Sequence, residues 1–283
     1  KAALHSARVD PMAEVEEPPV IISYKDTAGH QSPLCTLGNF SLLIGKAKSR
    51  KTFLITSIAA AAIRGESSLS GLVGTLGKDK QTILFDTEQA PFHLHRTVRR
   101  ICKQAQRDNP ENFEAYGLRP YTPADRLAII ESKIRNTSNA GLVIIDGVRD
   151  LMSRGINDEE ESTTLISKIL KWTFDGNLHI LLVLHQNKND QNARGHIGTE
   201  AVNKAETVLS VQKDQGNTVV KPEYTRDIDF EPFAFFINAE GLPELTPMFK
   251  QVDNKLLEIK ENFLHLLPGM TAKAYNDLVN EYM

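Results

Sequence analysis

The sequence predicts an α/β fold: a mainly parallel, twisted sheet flanked by helices, with a short helical appendage at the C-terminal end. Three observations carry this expectation. Four apolar runs of strand length recur along the chain, Phe40 to Ile44, Thr82 to Phe85, Leu142 to Ile145 and His179 to Leu184, and helix-length segments separate them. Each run ends where chemistry begins, at Gly45, Asp86, Asp146 and His185-Gln186, and open α/β sheets hold their ligands beyond the carboxyl ends of the strands. The 41% hydrophobic and 24% charged content of the 283 residues is that of a globular chain, long enough for one large domain plus an appendage.

Residues 1–30 hold Glu14, Glu16, Glu17, Pro18 and Pro19, a combination that cannot sustain a long helix, and read as an arm or linker. Such an arm is either a disordered tail or a segment that packs on a neighbouring subunit. The first residue is Lys1 rather than Met, which predicts that the native start lies outside this sequence. After the first apolar run, the Ala/Ile/Leu-rich segment Phe53 to Arg64 reads as a helix. Gly65, Gly71, Gly74 and Gly77 mark Gly65 to Lys80 as a surface loop. The strand ending at Asp86 runs into Thr87-Glu88-Gln89, and Pro91 suits the first turn of a helix reaching to near Arg107. Thr122-Pro123-Ala124-Asp125 caps and opens the next helix, which continues to near Asn136.

Gly141 leads into the strand that ends in Asp146, and a polar loop with Arg149, Asp150, Arg154 and Gly155 follows. Acidic residues Asp158 to Glu161 then open a helix through Phe174, on the turn where the helix dipole favours negative charge. Trp172, the only tryptophan, is expected in the core. Beyond Gln186, Asn187 to Thr199 reads as a polar loop; Thr207 to Val211 and Phe233 to Ile237 read as later strands, with turn-rich stretches at Asp214 to Asn217 and Lys221 to Asp229. The tail from Lys250 has helical periodicity at Leu256, Leu257, Ile259, Phe263 and Leu266, then a Pro268-Gly269 break. That pattern fits the start of a helix-turn-helix and a packing appendage equally. The expected organisation is an arm over 1–30, one domain over 31–249 and the appendage over 250–283.

The stretch Gly45-Lys46-Ala47-Lys48-Ser49-Arg50-Lys51-Thr52 lies between a buried strand and a helix, the context a phosphate-binding loop needs. Backbone N–H groups of a tight turn and the positive end of the next helix make a concave anion site, with Gly45 letting the main chain turn at the strand exit. Lys51 would reach the terminal phosphates and the Thr52 hydroxyl would ligate magnesium. Arg50 departs from the G-x-x-x-x-G-K-[ST] pattern, standing where a second glycine allows close backbone approach to phosphate. The competing reading is a basic turn; Lys-Thr at this distance from Gly45 favours the phosphate site. Asp146, at the end of its buried run, is the candidate carboxylate for magnesium or its waters. Glu88 is the candidate general base, against the alternative of a solvated acid at a strand end. The polar pair His185-Gln186, ending the strand beside the one that carries Asp146, is placed to touch the terminal phosphate or the attacking water, with Gln186 the candidate site residue.

A formal net charge of −3 gives no whole-molecule attraction for nucleic acid, so any basic surface is local. Cys35 and Cys102 are far apart and belong to no Cys/His cluster, which predicts a reducing compartment and no structural metal. No apolar run approaches the roughly 20 residues of a membrane span, and the first 30 residues lack a signal-peptide core, so the expectation is a cytoplasmic protein without a membrane partner.

The order phosphate loop, strand with Glu88, strand with Asp146, strand with Gln186, polar glycine-containing loop and β-rich end resembles the RecA-like P-loop ATPases over residues 31–249. Within them it is similar to the hexameric helicases of the plasmid RepA and DnaB type. The resemblance implies ATP and Mg2+ as ligands, with Lys46, Ala47, Lys48 and Ser49 completing the loop around the phosphates. It implies a homo-oligomer, a hexameric ring, with nucleotide between subunits, and single-stranded DNA as partner. Lys51, Glu88, Gln186 and a cation from a neighbour are then catalytic, Thr52 and Asp146 hold the metal, and Lys188, Asn192, Arg194 and His196 face DNA. Lys221 and Arg226 match the cations that this family inserts into the adjacent active site. Arg50 departs from the pattern, as does the lack of stacking aromatics between Asn187 and Thr199. The function implied is an ATPase coupled to single-stranded DNA, a helicase or loader in replication or mobile-element transfer. Two alternatives are a P-loop small-molecule kinase, for which the acidic loop near Asp158 is a poor arginine lid, and a nucleotide-binding switch with turnover weakened by Arg50.

Overall fold

A computed structural model describes residues 8–26, 29–69, 71–186, 193–226 and 230–246. Among these, nine strands form one sheet in the order β12-β11-β10-β9-β3-β8-β7-β5-β6. Six are parallel: β3 (Phe40–Gly45), β5 (Gln81–Asp86), β6 (Phe113–Gly117), β7 (Ala140–Asp146), β8 (His179–His185) and β9 (Thr207–Asp214). The sheet is extended by an antiparallel ladder, β10 (Asn217–Thr225), β11 (Phe233–Ile237) and β12 (Pro243–Thr246). The α/β sheet expected from the alternating runs is therefore present.

Alternation along these strands divides the core in two. Leu43, Leu84, Ile144, Val183 and Leu209 face α1 (Lys51–Arg64) and α2 (Pro91–Gln104), while Leu42, Phe85, Ile145, Leu182 and Val208 face α3 (Pro123–Arg135), α4 (Glu159–Gly176) and α5 (Gly195–Lys204). A parallel sheet buried on both faces explains why its strands read as continuous apolar runs. Trp172 of α4 lies in the second core at 5% exposure, as expected. α1 is buried from Leu54 to Ile63. A helix enclosed on all sides needs small and apolar residues throughout, hence Ala59 to Ala62.

What encloses α1 on its far side corrects the sequence reading. Val20–Lys25, assigned to the arm, form β1, which pairs antiparallel with β2 (Gln31–Thr36) and with β4 (Leu72–Gly74), a strand inside the expected surface loop. The β-branched run Val20-Ile21-Ile22 outweighs the preceding prolines, and Ile21, Ile22 and Tyr24 are buried, with Tyr24 stacked on Phe233 at 4.3 Å between centroids. A buried polar cluster fixes this small sheet to the large one. Thr36 N–H donates to Glu206 at 2.8 Å and the Thr36 carbonyl oxygen lies 2.8 Å from His179 Nδ1. Burial pushes His179 down to about 4 and Glu206 up to about 6.

Two further expectations are corrected. Lys221, expected in a turn, lies within β10, and residues 195–199, expected in a loop, form the first turns of α5, whose Ile197 and Ala201 pack into the second core. Their glycines mask an apolar i, i+4 spacing. Lys188, Asn192 and the appendage over 250–283 lie outside the described residues. Among the described residues no helix is long and apolar enough to cross a membrane.

The seating of β4 on α1 depends on Gly74, where a Cβ would stand 2.0 Å from the Ala61 carbonyl oxygen. Gly74→Ala is expected to lower stability by about 1–3 kcal/mol, the range for overpacking. Thermal unfolding measures it, and an unchanged Tm would mean that the small sheet does not press on α1.

Candidate nucleotide site at the carboxyl edge of the sheet

Register places the chemistry. Gly45 pairs with His185 across β3 and β8, and Asp86 with Asp146 across β5 and β7, so the strand ends deliver these residues to one edge. The loop after β3 turns through Ser49 N–H donating to Lys46 O at 3.2 Å, and α1 begins at Lys51. Gly45 is required for a different reason from the one expected. It has no positive φ; instead a Cβ there would meet Ser49 Oγ and the Val211 carbonyl oxygen, both at 2.6 Å.

Arg50 takes the conformation a glycine would take. It caps α1 with φ 72 and ψ 25, a left-handed conformation that costs a non-glycine residue about 1–2 kcal/mol. Its side chain turns to the β9–β10 hairpin, where Nη1 donates to Gly216 O at 2.6 Å and to Thr218 Oγ1 at 3.1 Å. Two such bonds contribute about 0.5–1.5 kcal/mol each and offset the backbone cost. The arginine is thus compatible with a phosphate loop.

Lys51 is 7% exposed, and its Nζ donates to Gly45 O at 2.8 Å and Lys46 O at 3.1 Å. Burial lowers its pKa, against the opposing charges of Asp146 and Glu88. Its third neighbour is His185, with Nδ1 at 3.2 Å, while His185 Nε2 lies 3.3 Å from Glu88 Oε1. With the proton assigned to Nε2, His185 accepts from Lys51 and donates to Glu88.

Glu88 is positioned by Asp86, a fully buried carboxylate that the sequence does not single out as a site residue. Asp86 Oδ1 accepts from Glu88 N–H at 3.0 Å and Gln89 N–H at 2.6 Å, and Oδ2 accepts from the Gln89 amide. Thr87 adds a bond from its N–H to the Asp146 carbonyl oxygen at 3.1 Å. The His185 hydrogen bond, reinforced by the charges of Lys51 and Arg149 against the cost of burial, holds Glu88 below the usual carboxylate range, so it is ionised at neutral pH. Asp146 is driven the other way: burial, then the neighbouring Asp86 and Glu88, push it up to about 7.

These groups converge on a cleft of about 300 Å³ lined by Lys48, Ser49, Lys51, Thr52, Glu88 and Asp146. A larger cleft of about 670 Å³ lies beside α5 and Tyr224, away from the converging charges, and the chemistry rather than the volume decides between them. A family model described as an AAA domain matches residues 31–191, more than half of the chain. The chain belongs to the AAA domain family. The chain is accordingly a nucleotide-hydrolysing protein of the P-loop ATPase class. No curated protein matches the chain.

The oxygen donors Thr52 and Asp146 suit a hard divalent cation. No hydrogen bond or ion pair of the described residues engages the Asp146 carboxylate oxygens, and no cluster of His, Cys, Asp and Glu among them forms a metal cage. That donor set fits magnesium arriving with phosphates rather than a resident ion.

The other expected residues take several places. At the end of β8 it is His185, one residue before Gln186, that stands between Lys51 and Glu88; Gln186 is 5% exposed and forms a backbone bridge with Ala193. Arg194 and Arg149 adjoin instead, lining a pocket with Glu88 and His185. His196 lines the larger cleft. Arg226 is at the opposite edge of the sheet: Thr225 pairs with Thr207, which pairs with Ser41 near the start of β3, and Arg226 N–H donates to Glu206 O at 2.8 Å. Sequence signals for Asp86 and His185 exist, since both end apolar runs, but pairing geometry is needed to choose them over their neighbours.

Two outcomes follow from this geometry. Arg50→Ala keeps the left-handed strain and loses both hairpin bonds, so it should destabilise by about 1–3 kcal/mol, whereas Arg50→Gly should change stability by less than about 1 kcal/mol. Equal unfolding midpoints for the two variants would break the assignment. Magnesium binding requires ionised Asp146, so Mg2+-dependent nucleotide affinity should fall about tenfold per pH unit below about 7 and level off above it. Titration with a fluorescent ATP analogue measures this, with Asp146→Asn expected to remove the dependence; a profile shared by both proteins would assign the titration elsewhere.

Proposed function

We propose that this AAA domain is the motor of an oligomeric ATPase that couples ATP hydrolysis to action on single-stranded DNA, of helicase or loader type, with nucleotide lying between subunits of a ring. The observation that carries the reading is the openness of the catalytic edge within one chain: the Glu88 side chain is 48% exposed and that of His185 37%. Phosphoryl transfer depends on positioning and charge neutralisation in a water-poor site, so a half-exposed carboxylate calls for a covering surface. A second subunit supplies one.

Lys51 neutralises charge that develops on the transferring phosphate, and Glu88, ionised and steered by His185, orients the attacking water. Thr52 and Asp146 would hold magnesium, which would supply charge neutralisation at the phosphates. Arg226, exposed and remote from its own phosphate loop, is available to the neighbour's cleft. Gln186 follows His185 directly, so the segment proposed to bind DNA, beginning at Asn187, continues the chain from the Glu88–His185 contact.

ATPase rate with and without single-stranded DNA tests the coupling, and stimulation is expected. Arg226→Ala and Lys51→Ala proteins, each nearly inactive, should regain part of the rate when co-assembled, because some interfaces then join an intact loop to an intact arginine. An arginine entering a desolvated phosphate site contributes about 10³-fold or more. Mixed rings without recovery would exclude action in trans, and a rate indifferent to DNA would exclude the coupling.

A further inference from the structure

α2 carries a concentrated positive face in a chain whose net charge is −3. Its fourteen residues include Arg96, Arg99, Arg100 and Lys103 and no acidic residue. Thr97, Ile101 and Gln104 are buried, which leaves Phe92, Arg96, Arg99 and Lys103 exposed at i, i+4, i+7 and i+11 along one face, a row about 16 Å long. Arg96, Arg99, Arg100 and Lys103 also line a cleft of about 340 Å³, together with the carboxylates of Asp108 and Glu240.

The cations divide by what they touch. Lys103 pairs with Glu240 at 2.9 Å, and Arg100 lies 3.9 Å above the Phe53 ring while its Nε donates to Gly241 O at 3.2 Å. Those two fasten α2 to the turn between β11 and β12 and to the start of α1. Arg96 and Arg99 have no carboxylate partner within ion-pair distance among the described residues. Arg96 stands beside Phe92 instead, 6.0 Å from the centroid of a ring that is 67% exposed. The fold therefore keeps like charges together: burial, and Arg96 beside it, hold the Arg100 guanidinium below its ordinary pKa. The first turn of α2 has neither an acidic residue nor a side-chain cap, which adds the positive end of the helix dipole to the same surface.

We infer that the Phe92, Arg96 and Arg99 face of α2 binds the backbone of single-stranded nucleic acid. Guanidinium groups pair with phosphate oxygens in a bidentate fork, and the exposed ring of Phe92, beside Arg96 at the start of the row, offers a platform on which a base stacks. An acidic protein surface would satisfy the charges but leave the ring without a role. The face is also tied to catalysis by hydrogen bonds: Thr97 Oγ1 donates to Gln89 Oε1 at 3.1 Å, and Gln89 and Glu88 both donate to Asp86. Any effect of this strand on turnover rests on the ATPase reading above; the binding itself does not.

Fluorescence anisotropy with a labelled oligothymidylate across a salt series tests the surface. Arg96→Gln with Arg99→Gln should weaken binding on the order of tenfold and reduce the slope of log affinity against log salt by about 1.4, about 0.7 for each lost phosphate contact. Phe92→Ala, which keeps the charge, should weaken binding on the order of tenfold with the slope unchanged. DNA-free ATPase rate and native mass should match the parent in both, showing that each variant is folded and assembled. Parental affinity and slope in both variants would overturn the inference, as would a parent that fails to bind. Loss of native mass with unchanged DNA binding would assign the face to a second copy and also overturn it. Binding that depends on Arg96 and Arg99 without ATPase stimulation would uphold the surface and remove the coupling; stimulation that persists with unchanged binding would do the reverse.

Discussion

The register of the six parallel strands is the constraint on which the site depends. Pairing of Gly45 with His185 and of Asp86 with Asp146 brings residues separated by up to 140 positions to one edge of the sheet. A slip of one residue in β7 or β8 would exchange the two faces of that strand. It would move apolar side chains out of both cores, so the packing that stabilises the sheet also locks the row of polar strand-end residues. Function here is a by-product of a register that burial enforces.

At that edge, a small set of charges is held in different protonation states by environment. Asp146 is buried among acids and rises to about 7, whereas Glu88, half exposed and bonded to His185, is held low. Two carboxylates pushed apart in this way are suited to different work, Asp146 to giving oxygens to a cation and the ionised Glu88 to accepting from a water. Lys51 is the shared counter-charge, and Asp86 spends its carboxylate on backbone N–H groups so that the Glu88 loop keeps its shape.

The β9–β10 hairpin has a part in this site that its surface position conceals. By accepting from Arg50 it stabilises a left-handed residue at the helix N-terminus, so the phosphate loop and the antiparallel extension of the sheet are mechanically joined. The opposite end of the same ladder carries Arg226. β10 therefore runs from the hairpin that holds Arg50 at one edge of the sheet to Arg226 at the other.

The sequence by itself determined the α/β class, the buried strands and the phosphate loop. These are local properties: continuous apolar runs mark strands covered on both faces, and Gly45 with Lys51-Thr52 mark a turn between such a strand and a helix. The positions of Asp146 and Glu88, at or just after a strand end, were legible for the same reason. Tertiary structure decided what local pattern does not encode. Arg50 is tolerable because of an oxygen 166 residues away, Gly45 is required because Val211 passes close by, and Val20–Lys25 are a strand because β2 and β4 pair with them. His185 rather than Gln186 faces Lys51, and Arg226 stands at the far edge, because strand register and ladder direction fix those positions and both are set by long-range pairing.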